Sequence, residues 1–153
     1  MFEIDLGGAV ALVDDGDWPL VAGIAWRGLI DRRSREIVYA IARIDGQTVY
    51  LHRLLMGALP GEEVDHEDGD GLNNRRGNLR LATHAQNLAN QAPQSGRSSR
   101  FKGVSWYTRS GRWRATAARR HVGFFDDEED AARAYDAAAR AAFGAFARVN
   151  FDG

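Results

Sequence analysis

The sequence predicts an α+β protein built from two small units, and three observations predict it. Residues 1–91 hold several short strand patterns ending in a strand–loop–strand–helix series. A stretch at 92–99 lacks large apolar residues and contains Pro93 and Gly96, the composition of a linker. Residues 100–153 then change to three short strands followed by one long helical pattern, a three-stranded antiparallel sheet packed on one α-helix.

In chain order, Ala9 to Val13, Ile37 to Ile44 and Gln47 to Leu51 read as strands. The last two are joined by Asp45-Gly46, a dipeptide suited to the positive φ angles of a tight hairpin. Leu51 to Met56 opens a short helix. From Glu63 the chain reads Glu-Val-Asp-His, then a polar loop with Asn73, Asn74, Arg75 and Arg76, then Gly-Asn-Leu-Arg-Leu-Ala-Thr. Leu79 and Leu81 alternate with Arg80 and Ala82, as on a half-buried strand, and Thr83 with Gln86 forms a capping box for the helix that follows.

In the C-terminal unit, Arg112 to Ala117 alternates with period two. Trp113, Ala115 and Ala117 take one face, and Arg112, Arg114 and Thr116 the other. A helix starts near Asp126, whose side chain can cap it with Glu129 three residues on, and presents Ala131, Tyr135, Ala138 and Ala142 as a stripe of mostly small residues. Gly144 stops it.

Charge divides with the architecture. Residues 1–91 carry nine Lys/Arg against fourteen Asp/Glu, and residues 92–153 eleven against seven. Arg97 to Phe125 holds eight basic residues and no acidic one, a stripe suited to a polyanion through counterion release. There are no cysteines, so disulfides and thiolate metal sites are excluded. Met1 to Asp15 shows no basic leader and no run reaches the roughly 20 apolar residues of a membrane span, so the expectation is a cytoplasmic protein without a membrane.

Four residues carry the expected chemistry. Asp65 and the amide oxygen of Asn87 are hard donors suited to Mg²⁺ or Mn²⁺. Asn87 falls one turn into its helix and can point back at the Asp65-His66 strand if that helix packs across the hairpin. His66, with an ordinary pKa of about 6.5, can take a proton from an attacking water. Asn78 orients the loop or the imidazole. His52 reads as a packing residue and His84 as exposed, while Asp68 and Asp70 read as loop-forming.

The series Asp65-His66, Asn78 and Asn87, with Asn-Asn-Arg and Asn-Leu-Arg between, resembles the HNH endonucleases of the ββα-metal fold. It resembles in particular the phage and intron homing subgroup with Asn in the third position. Tyr50 to Met56 and residues 11–15 extend the likeness over 1–91, with the ββα-metal core at about 60–91. The resemblance implies His66 as general base, Asp65 and Asn87 as metal ligands, Asn78 as the structural middle residue, and one Mg²⁺.

Phe-Lys-Gly-Val (101 to 104), Gly-Arg-Trp-Arg-Ala (111 to 115), Val-Gly-Phe-Phe (122 to 125), Ala-Ala-Arg-Ala-Tyr-Asp-Ala-Ala (131 to 138) and Ala-Arg-Val-Asn-Phe (147 to 151) resemble the APETALA2/ethylene-response-factor DNA-binding domain. That likeness implies a DNA face bearing Lys102, Arg112, Arg114, Arg119 and His121. Ser105, Thr116 and Ala118 depart from its recognition residues, so the family's target sequence does not transfer. Trp113 reads as core, and Trp106 as either core or contact. Arg75, Arg76 and Arg80 are further candidate phosphate contacts.

Together these imply a metal-dependent endonuclease held on double-stranded DNA by its C-terminal domain. The expected enzyme is a monomer that nicks, with no obligate protein partner. The competing reading is a non-catalytic DNA-binding regulator that keeps the HNH scaffold. The residues leave RNA open as a substrate.

Overall fold

A computed structural model describes residues 1–93 and 96–151. The chain divides into two compact units, Met1–Thr83 and His84–Gly153.

In the first unit, β1 (Phe2–Asp5) and β2 (Val10–Val13) form an antiparallel pair, followed by a 3-10 turn at Asp15–Asp17 and the short α1 (Trp18–Val21). Strands β3 (Arg27–Ile30), β4 (Ile37–Ile44) and β5 (Gln47–Tyr50) make an antiparallel sheet in that order. Asp45 and Gly46 turn between β4 and β5 with φ of 47° and 76°, as the dipeptide predicts. Helix α2 (Leu51–Met56) follows without a loop, and then β6 (Glu63–His66) pairs antiparallel with β7 (Leu79–Ala82). The core gathers Ile4, Ala11, Val13, Val21, Leu51, Leu55, Val64 and Leu79. It therefore ties the N-terminal strands to the β6–β7 hairpin by burial of apolar surface.

The second unit begins with α3 (His84–Asn90) and continues with β8 (Val104–Tyr107), β9 (Arg112–Ala117) and β10 (Arg120–Phe125), an antiparallel sheet with β9 in the centre. Helix α4 (Glu128–Phe143) covers one face. Its cap is Asp127, whose Oδ1 accepts from the backbone N–H of Glu129 and Asp130, and not the expected Asp126. The buried stripe is Ala131, Ala132, Tyr135, Asp136 and Ala139, and Ala142 stands outside it. The close approach is visible at Gly103, where a Cβ would lie 2.0 Å from the Tyr135 ring.

Within this unit, Arg148 N donates to Ala89 O at 3.1 Å, and Lys102 Nζ donates to the carbonyls of Leu88, Ala89 and Gln91. These bonds are why α3 groups with the C-terminal sheet, ahead of the compositional linker at 92–99. Of that linker, Gln94 and Ser95 lie outside the described residues.

Candidate functional site

Alternation along β6 sends Asp65 and His66 to opposite faces of the strand. Asp65, 4% exposed, stands opposite Arg80 in the β6–β7 register. Arg80 Nε donates to Asp65 Oδ2 at 2.8 Å, Nη2 lies 2.8 Å from the same oxygen, and Nη1 lies 3.6 Å from Glu67 Oε1. The expected alternation on β7 is therefore reversed at one position. Leu81 is exposed, and Arg80 is drawn inward because a buried carboxylate requires a cation.

His66 is 6% exposed and packs beside His52 and Tyr39, with ring centroids 5.0 and 6.0 Å away. Its Nε2 lies 3.4 Å from Asn74 Oδ1. Burial lowers the His66 pKa below its ordinary value, opposed by the Asn74 bond and by the negative charges of Asp68, Asp65 and Asp70. His52 is pushed down to about 3, first by burial and then by His66 and Arg53, so it is neutral. Its Nδ1 is buried and has no hydrogen-bond partner among the described residues.

Asn78 shapes the loop and not the imidazole. Its Oδ1 accepts from Asp68 N at 3.0 Å, while its Nδ2 donates to Asp68 Oδ1 at 2.9 Å and to Asn73 O at 2.8 Å. Burial works against the Asp68 carboxylate, but bonds from Asp70 N, Asn73 and Asn78 outweigh it and hold its pKa below the ordinary value. Asp68 and Asp70 are thus loop-forming, since Asp70 Oδ1 accepts in turn from Leu72 N.

The loop is also pinned from the N-terminal strands. Leu12 N donates to Leu72 O, Asn74 N donates to Leu12 O, and Arg76 N donates to Asp14 Oδ2. The Arg76 guanidinium forks onto Asp17 at 2.8 to 3.2 Å, which holds the Asp17 pKa below the usual carboxylate value. Arg75 Nε donates to Asn73 Oδ1. Arg75, Arg76 and Arg80, all read as phosphate contacts, are therefore engaged inside the unit.

Asn74 is fully buried and Arg80 holds Asp65, and neither role was legible in the sequence. Asn74 differs from Asn73 only by its place in an Asn-Asn pair, and Arg80 looks like a solvent-face residue of an alternating strand. Asn87 stands half-buried on α3, in the second unit.

Among the described residues, no group of three or more His, Cys, Asp or Glu comes together as a metal cluster. The donor types still fit a hard cation, because Asp65 is a buried carboxylate and Asn87 an amide.

In the second unit, the strand registers place Ser105, Tyr107, Arg112, Arg114, Thr116, His121 and Phe124 on the face away from α4. Arg112 Nε donates to Asp126 Oδ1 at 2.7 Å, which also explains why Asp126 does not cap the helix. Arg119 occupies the β9–β10 turn with φ of 61°. Lys102, expected on this face, and Trp106, read as either core or contact, lie elsewhere. Trp106 pairs with Trp113 across the ladder, on the α4 side with Val104 and Ala115, with ring centroids 5.0 Å apart. Lys102 spends its donors on the carbonyls that end α3, and burial lowers its pKa to about 8, helped by Arg148.

Residues 49–89 match the family described as HNH endonuclease. Over 148 residues, 94% of this chain and 75% of the other, the sequence is 28% identical to a protein of Acanthamoeba polyphaga mimivirus named Uncharacterized HNH endonuclease L560. It is 39% identical over 61 residues to Protein 3.8 of Escherichia phage T7, covering 39% of this chain and half of that protein. No helix among the described residues is long and apolar enough to cross a membrane. The chain thus carries, at 49–89, the sequence pattern of HNH endonucleases, laid over β5's last residues, α2, the β6–β7 hairpin and α3.

Proposed function

We infer that the protein is a metal-dependent DNA endonuclease in which His66 is the general base and the C-terminal sheet holds the duplex. The observation that carries this reading is the buried Asp65-His66 pair at the end of β6, inside the segment that matches the HNH endonuclease family.

The tautomer of His66 follows from its neighbour. Asn74 Nδ2 donates to Leu72 O at 3.0 Å, which turns Oδ1 toward the imidazole as an acceptor. Nε2 then carries the proton, so Nδ1 is the nitrogen through which His66 would act as base toward the attacking water. Burial lowers the His66 pKa and keeps this nitrogen unprotonated at neutral pH. His52 and Tyr39 hold the ring in place by packing.

Asp65 and Asn87 would hold one Mg²⁺, which when bound supplies charge stabilisation at the scissile phosphate. Arg80 holds the Asp65 carboxylate in place in the buried hairpin. Asn78 holds the loop on Asp68 and has no chemical step. Arg112, Arg114, Arg119 and His121 give the C-terminal unit its basic face for phosphates. A chain with one such centre nicks one strand per encounter, acting as a monomer on double-stranded DNA.

The test is incubation of supercoiled plasmid with protein and Mg²⁺, with and without EDTA. Conversion to the open circle that chelation abolishes supports the reading. Unchanged cutting in EDTA removes the metal from it, and no cutting of any DNA favours a DNA-binding regulator that keeps the scaffold.

A further inference from the structure

The face of the C-terminal sheet away from α4 is more than a bare arginine surface. A bulge in β10 between His121 and Gly123 brings His121 and Phe124 onto it together, with ring centroids 4.6 Å apart. Tyr107 from β8 reaches over the central strand to within 5.2 Å of Phe124. Arg114 runs below, its guanidinium 5.6 Å from the Tyr107 ring centre and one Nη donating to Ser105 Oγ at 3.3 Å. The Arg114 Nε is buried and has no partner among the described residues. Tyr107, Arg114, Thr116, His121 and Phe124 line an open depression of about 380 Å³, and Phe124 stays 36% exposed beside it.

Two features of this depression point to its ligand. The Arg114 guanidinium lining it brings N–H donors and positive charge, so the site favours a ligand that brings an oxygen. The segment Arg97 to Phe125, with eight basic residues and no acidic one, favours an anionic ligand. The rings beside Arg114 favour a flat partner. A duplex offers base edges and phosphates but hides its π-faces in the stack. An unpaired nucleotide offers a π-face, carbonyl oxygens and a phosphate at once.

We propose that this depression is a nucleobase site that takes one unpaired base of single-stranded DNA, with Phe124 stacking on it, His121 tilted at 51° to that ring against its edge, and Arg114 donating to its oxygens. The proposal rests on the reading of the C-terminal unit as DNA-binding. It adds that the unit grips an opened strand, as at a nick or a strand end, beside its phosphate contacts to duplex.

The experiment measures fluorescence anisotropy of the full chain, in EDTA to prevent cutting, with a short labelled single strand and with the matching duplex. Phe124→Leu keeps the apolar volume and removes the π-face, and Phe124→Trp keeps it; circular dichroism checks that both fold. The expected result is roughly tenfold weaker single-strand binding for Phe124→Leu, near-normal binding for Phe124→Trp, and duplex binding within about twofold of the parent for both. Arg114→Lys, which loses the planar donor edge, also weakens single-strand binding. Unchanged single-strand binding by Phe124→Leu, or an equal loss on duplex, overturns the proposal. Binding of duplex without any binding of single strand overturns it and leaves the DNA-binding reading standing; binding of neither overturns both.

Discussion

Arg80 faces Asp65 across the β6–β7 ladder and brings two nitrogens to the same carboxylate oxygen, Nε and Nη2, each at 2.8 Å. Both side chains are largely shielded, at 17% and 4% exposure, so the pair is a buried ion pair in the heart of the candidate site.

Removing only the cation leaves a buried charge, which typically costs about 3–5 kcal/mol. Arg80→Met should therefore destabilise strongly in urea titrations, and Asp65→Leu/Arg80→Met should recover most of the loss. Additive losses in the double variant would contradict the pairing. If Asp65 also binds a cation, Mg²⁺ should raise the stability of Arg80→Met more than that of the parent.

His52 gives the fold a pH dependence. Its pKa in the folded protein is about 3, below the 6.5 of the unfolded chain. The unfolded state therefore takes up the proton first, and stability is full above pH 6.5 and falls as the pH drops toward 3. The slope contributed is at most about 1.4 kcal/mol per pH unit in that window. His66, also lowered, acts in the same direction, so the difference between the parent and His52→Phe isolates the His52 part. Identical slopes between pH 4.5 and 6.5 would refute it.

Arg76 and Asp17 join the motif loop to the N-terminal turn. Arg76→Lys keeps the charge and loses the fork, and should cost about 1–2 kcal/mol. Asp17→Asn should cost a similar amount, and the double variant little more. With its folded pKa lowered, Asp17 contributes stability above the unfolded value of 3.8, and that contribution disappears as the pH falls below it.

The local series at 63–87 exposed the candidate catalytic residues because their chemistry is unusual in a short stretch, and the 112–117 alternation gave the C-terminal sheet its two faces. What stayed hidden depended on partners distant in sequence. Strand β1 buries only Ile4, too little for an alternation to show. Strand β3 passes at Gly28, where Ile37 fills the space of a side chain, and a glycine there reads as a loop. Arg80 is drawn inward by Asp65, fifteen positions earlier, and Asp127 displaces Asp126 as the cap because Arg112 takes Asp126.

Ala118 and Arg119 turn between β9 and β10 with φ of 50° and 61°, a conformation that non-glycine residues adopt at a cost. Ala118→Asn should stabilise the protein by about 0.5–1 kcal/mol in thermal melts. Loss of stability would show that the turn adopts another geometry.

In the proposed mechanism His66 takes the proton from the attacking water. The most direct measurement compares single-turnover nicking of plasmid by the parent and by His66→Ala at saturating Mg²⁺, after circular dichroism shows that both are folded. General-base catalysis is worth roughly 10²- to 10⁴-fold. His66→Ala is expected to lose at least that order in rate with DNA binding retained; nicking by His66→Ala at the parental rate would contradict general-base catalysis by His66.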